Sequence, residues 1–143
     1  GKTIDTITVS GDATTLRFHT DEGPVTYYTE GDCCSRSWFH EVLGVDALLG
    51  GKVVSTEPLY THQPVNDPPP IDRDPDLYGT EGSKGRFMDD SVVGYGIKIT
   101  THKGRATIVY RNASNGYYGG DHSLSSDKSD KPLDTDIIGD WTA

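Results

Sequence analysis

Between Val93 and Thr101 the chain alternates strictly, with Val93, Tyr95, Ile97, Ile99 and Thr101 on one side and Gly94, Gly96, Lys98 and Thr100 on the other. A period of two sets one row against a core and turns the other away from it, which is the signature of a β-strand and not of a helix. His102-Lys103-Gly104 then reverses the chain, and Arg105 to Asn112 alternates again with Ala106, Ile108 and Tyr110 on the buried side. So short a connection permits antiparallel pairing alone, because a parallel crossover needs a dozen residues or more. The fold must therefore contain an antiparallel sheet, and a βαβ architecture is excluded.

The N-terminal part obeys the same logic. Lys2 to Ser10 is rich in Thr, Ile and Val and reads as a first strand, with Ile7 and Val9 on one face, turned by Gly11-Asp12-Ala13-Thr14. Leu16, Phe18 and Thr20 alternate with Arg17 and His19, giving a second strand on which His19 faces out. After the turn Asp21-Glu22-Gly23-Pro24, Val25 to Glu30 forms a third, with Tyr27 and Tyr28 on opposite faces. Trp38, Phe39, Val42 and Leu43 fall on a 3.6-residue period, which predicts a short helix entered near Ser35, capped by Ser35 or Ser37 and ended by Gly44. Val45 to Leu49 predicts one more helical turn stopped by Gly50-Gly51, and Lys52 to Glu57 a fourth strand. Asn115-Gly116 is a strong hairpin signal, since both residues tolerate positive φ, and it predicts a last strand from Tyr117 towards Leu124 paired with the one before. The expected fold class is α+β: an antiparallel sheet of about six strands with one short helix packed on one face.

At 143 residues, one domain spanning 1–143 is the expectation. Six of the eight prolines fall between Pro58 and Asp90, interleaved with Asp67, Asp72, Asp74 and Asp76, so 58–91 reads as an extended loop. The tail 125–143 is polar, but Ile137, Ile138 and Trp141 predict that its end docks. A net charge of −9 and the lack of a basic cluster argue against nucleic acid, whose phosphates are neutralised by Lys and Arg. There is no apolar run of the roughly 18 residues a membrane span needs, and Gly1 onwards lacks the basic and apolar parts of a signal peptide. The chain starts without methionine, so processing or excision from a longer chain has to be allowed for. The adjacent Cys33 and Cys34 are poorly placed for a mutual disulfide and read as reduced thiols in a cytoplasmic protein.

The densest packet of reactive side chains lies around Asp32-Cys33-Cys34, at the predicted helix entry. A zinc site would draw on Cys33, Cys34 and His40, with His19 or His122, but structural zinc prefers cysteines separated by two to four residues. A thiolate favoured by the helix N-terminus would make Cys33 or Cys34 a nucleophile, yet His40 on that helix points away from its N-terminus, and the base would have to come from His19 or His122. Against both stands the plain alternative of one packed and one inert cysteine. Another reading joins Asp32, Cys33 and Cys34 with Asn112, Ser114, Asn115, Tyr117 and Tyr118 across the sheet as a polar, aromatic binding patch, against the alternative that Asn112 to Gly120 is hairpin geometry alone. The acids from Asp67 to Asp76 lack the spacing of a calcium loop and read as a solvated loop.

Glu30-Gly31-Asp32-Cys33-Cys34-Ser35 before the expected Trp-bearing helix, together with Arg111-Asn112-Ala113-Ser114-Asn115-Gly116-Tyr117-Tyr118-Gly119-Gly120, resembles a family of small uncharacterised proteins of actinobacteriophages. The resemblance covers roughly residues 1–57 and 92–124. It implies a viral origin and a place in the host cytoplasm or the virion, and it brings no catalytic residue. From residues and resemblance together, the expected function is that of a non-catalytic accessory protein that binds a host protein or a small molecule, in countering host defence or as a virion component. No cofactor or metal is expected, and the oligomeric state is not set by the sequence. The alternative is a cysteine- or metal-dependent enzyme built on Cys33 and Cys34.

Overall fold

The computed structural model describes residues 1–31, 36–65, 91–114, 120–126 and 128–143. In chain order the elements are β1 (Ile4–Val9), β2 (Thr15–Thr20), β3 (Gly23–Gly31), β4 (Arg36–Leu43), α1 (Val45–Leu48), β5 (Val53–Val65), β6 (Ser91–Thr101), β7 (Gly104–Ser114), β8 (Gly120–Leu124), β9 (Thr135–Asp136) and β10 (Trp141–Thr142). Among the described residues they form two antiparallel sheets of five strands each, ordered β8-β3-β2-β1-β9 and β10-β4-β7-β6-β5. The architecture is thus mainly antiparallel β with one short helix, but it has two sheets where one of about six strands is expected.

The alternating stretches become strands in the register their patterns require. Val9, Leu16 and Tyr27 are cross-strand partners, as are Ile7, Phe18 and Val25, and these two rows form the inner face of the first sheet. Tyr110 lies between Phe39 and Tyr95, and Ile108 between Val42 and Ile97, on the inner face of the second. One hydrophobic core joins the two faces, with Ile7, Leu16, Phe39, Val42 and Val45 all buried. Burial of an Ile, Leu or Phe side chain stabilises by roughly 1.5–3 kcal/mol, so these rows hold the sheets together.

The segment expected as a helix from Ser35 to Gly44 is instead strand β4. Phe39 pairs with Tyr110 and Glu41 with Val109, so His40 is an extra, bulged residue. The bulge brings Val42 onto the same inner face as Phe39, where regular alternation would have placed it opposite. Trp38 is fully buried as well, on the other face of the strand. Apolar residues at 38, 39 and 42 imitate a helical period for that reason. Gly44 does take a positive φ of 77°, but as the residue that leads into α1, not as the end of a helix before it. The turn expected over Val45 to Leu49 is α1 itself, with Val45 and Leu48 buried.

Two further expectations are corrected. Strand β5 does not stop at Glu57 but runs to Val65, through Pro58 and Pro64. Among the described residues it is an edge strand, where a proline costs no ladder bond, and its pairing with β6 shifts register three times. Residues 66–90 of the expected 58–91 loop lie outside the described residues, and Ser91 already belongs to β6. Strands β7 and β8 do not form a hairpin around Asn115-Gly116, since β7 pairs with β4 and β6 while β8 pairs with β3 in the opposite sheet.

The tail docks along much of its length. Ser125 N donates to Thr26 O, Leu133 N to Thr8 Oγ1 and Ile137 N to Ile7 O. It therefore crosses the outer face of the first sheet from β3 to β1, lies beside β1 as β9, and pairs with β4 as β10. Ile137 is buried and Trp141 partly so, whereas Ile138 is exposed.

Candidate functional site

Edge strand β5 stands across from the inner face of the first sheet, and the two sheets do not close on each other there. The gap is a cleft of about 480 Å³ walled by Ile4, Phe18, Val25, Tyr27, Val53 and Ile99. It shares Phe18, Tyr27, Thr56 and Ile99 with a deeper cavity of about 80 Å³ that reaches Leu16, Phe39, Ile108 and His122. Val54 and Leu124, which also line the cleft, are 68% and 62% exposed, so its rim is apolar too. Concave, mainly apolar sites of roughly 300–1,000 Å³ are where small molecules bind.

An aromatic column backs the deep end. Tyr95 stacks on Tyr110 at 4.7 Å, Tyr110 meets His122 at 5.1 Å, His122 meets Tyr27 at 6.0 Å, and Tyr27 meets Phe18 edge-on at 6.3 Å. Cross-strand pairing explains the order: Tyr95 and Tyr110 are register partners, and His122 precedes by two residues Leu124, the partner of Tyr27. The imidazole thus sits between two tyrosine rings, one from each sheet, at the inner end of an apolar passage. An imidazole carries two ring nitrogens that can each take part in a hydrogen bond. Thr20, Ser55 and Thr56 add hydroxyls and Lys2 an ammonium group to the cleft, and among the described residues its lining and that of the cavity include no carboxylate. This constellation is not visible in the sequence, since its members come from six strands. His122 appears there as a metal-ligand or base candidate alone.

Of the patch expected from sequence, Asp32, Cys33, Cys34, Asn115, Tyr117 and Tyr118 lie outside the described residues. Asn112 is fully buried and donates through Nδ2 to Ser37 Oγ at 2.9 Å, and Ser37 Oγ donates to the Glu30 carbonyl at 2.8 Å. That chain ties β7 to β4 and β4 to β3. Ser114, at the end of β7, pairs with Ser91. The flanks of the two motifs meet in the ladders: Gly31 pairs with Gly120 and Arg36 with Ala113. The histidines considered as ligands stand apart. His122 is on the inner face of the first sheet and His19 on its outer face, while His40 on β4 accepts from Trp38 Nε1. Among the described residues no three His, Cys, Asp or Glu side chains come together as a metal site requires.

One arrangement that the sequence does not announce has the order of a hydrolase triad. Thr8 Oγ1 lies 3.0 Å from His19 Nε2, and His19 Nδ1 lies 3.0 Å from Asp130 Oδ1. Hydroxyl, imidazole and carboxylate follow in sequence, but Thr8 is 1% exposed and its oxygen accepts the Leu133 N–H at 3.1 Å. A nucleophile must be reachable by its substrate. Thr8 is covered by the tail, so the three residues fasten the tail and do not form an open active site.

No helix among the described residues is long and apolar enough to cross a membrane. No curated protein and no solved structure matches the chain. The resemblance to an uncharacterised family holds at that level, over a longer stretch than the two motifs cover. Residues 1–124 match the family model described as Domain of unknown function (DUF7448), and the chain belongs to that family.

Proposed function

We propose that the protein is a non-catalytic binding protein whose ligand is a small, largely apolar molecule held between the two sheets. The observation that carries this reading is the 480 Å³ cleft continuous with the cavity at His122. The ligand's body packs on Phe18, Val25, Tyr27 and Ile99, and its inner end lies towards the His122 ring. A ligand without a positive charge suits the site best, because Lys2 lines the cleft and its described lining holds no carboxylate to pair a buried cation. Within this reading the chain is a phage accessory protein acting in the host cytoplasm or the virion, and sequestration of a small host molecule is the role such a cleft would serve.

Titration with a neutral, environment-sensitive dye such as Nile red tests the cleft. Saturable one-to-one binding is expected. Thr56 is exposed on an edge strand yet borders both the cleft and the deeper cavity. Thr56→Trp should therefore fill the neck and weaken binding at least about tenfold, with the melting temperature unchanged. Non-saturable binding, or binding indifferent to Thr56→Trp, would sink the proposal.

A further inference from the structure

We infer that the outer face of the first sheet is a recognition surface for an extended acidic peptide, filled in this chain by its own residues 128–143. The face is built from buried polar side chains over which the tail lies. Thr8, Arg17 and Thr26 are successive cross-strand partners, and His19 lies on the same face. What they grip is mostly backbone. Arg17 Nη1 donates to the Lys131 carbonyl at 2.6 Å, and Thr8 Oγ1 accepts from Leu133 N at 3.1 Å. Such contacts read an extended chain regardless of its side chains, as in strand-addition recognition.

The remaining contacts select carboxylates. Asp130 meets His19 Nδ1 at 3.0 Å, and Asp134, four residues on, accepts from Gly11 N at 2.7 Å. Further along, Asp140 accepts from Gly44 N at 2.9 Å and Val45 N at 3.1 Å. Residues 125–143 carry five aspartates against two lysines, and they lie on the face that carries Arg17 and His19. The segment also lies beyond the family match, which ends at residue 124. The occupant to which the surface is matched is therefore a partner's extended segment with two carboxylates four residues apart, which displaces the tail.

The test uses the full chain with a specific protease site inserted after the exposed Ser126. Once folded and cleaved, the protein should keep its tail through gel filtration and exchange it for a fluorescent peptide of residues 128–143. In that peptide, Asp130→Asn with Asp134→Asn should weaken binding about tenfold or more, the scale of losing charge-assisted hydrogen bonds. An unrelated β-prone peptide that shares only the two aspartates should compete, and a version with asparagines should not. Loss of the tail from a still-folded remainder would overturn the inference, as would unfolding on cleavage or equal binding of the asparagine peptides. Tail exchange between intact chains, seen as a stable dimer, would assign the surface to a second copy and overturn it as well.

Discussion

Gly44 shows how one residue fixes a local path. Its φ of 77° lies in the left-handed region, and a Cβ there would sit 2.6 Å from the Arg105 carbonyl oxygen and 3.0 Å from Ala106 Cα. Both contacts are with backbone and cannot swing aside. Gly44→Ala should lower unfolding stability by about 2–4 kcal/mol, adding a left-handed penalty of roughly 1–2 to an overpacking term of similar size, as urea denaturation would read. Asp12 makes a titratable prediction. Burial pushes its carboxyl up, but hydrogen bonds from Ser10 and Thr14 outweigh this and hold it below the ordinary value of 3.8. A carboxyl depressed on folding contributes its full stability above the unfolded pKa and loses it as pH falls through the folded one. Asp12→Asn should flatten the decline in stability below about pH 3.8, and an acid limb identical to that of the parent would contradict it.

At the scale of elements, what could be read from the chain was whatever repeats locally. The alternations at Leu16–Thr20, Val93–Thr101 and Ala106–Tyr110 are strands with the expected faces inside, and Val45 to Leu48 is helical. β4 was illegible for a physical reason: a strand buried on both sides loses its alternation, and the bulge at His40 replaces period two by something close to a helical turn. β8 was misassigned because Asn115-Gly116 reports local turn preference, while the sheet that a strand joins is settled by contacts far along the chain. The cleft was hidden on the same grounds, being a gap between strands no spacing rule connects. β5 supplies the prediction here. Its stretch from Val54 to Leu59 is exposed, and among the described residues Pro58 interrupts a sheet edge of the kind that invites pairing with another chain. Pro58→Thr should leave the monomer's melting temperature nearly unchanged but raise concentration-dependent light scattering. Unchanged scattering would show that the register shifts protect the edge without the proline.

For the molecule as a whole, the pairings that complete it are the most distant in sequence. Val9 pairs with Thr135 and Val42 with Trp141, so both sheets gain their last strands from the tail. Folds dominated by non-local antiparallel pairing close long loops before contacts repay them, and they refold in milliseconds to seconds. Stopped-flow refolding in that range is expected, and microsecond refolding would contradict the topology. The order of the tail also bears on how the protein is made. A ribosome adding roughly 5–20 residues per second needs about 1–4 s to deliver residues 125–143 after β8. During that interval the nascent chain carries Arg17 and His19 without the tail and the edges of β1 and β4 without β9 and β10.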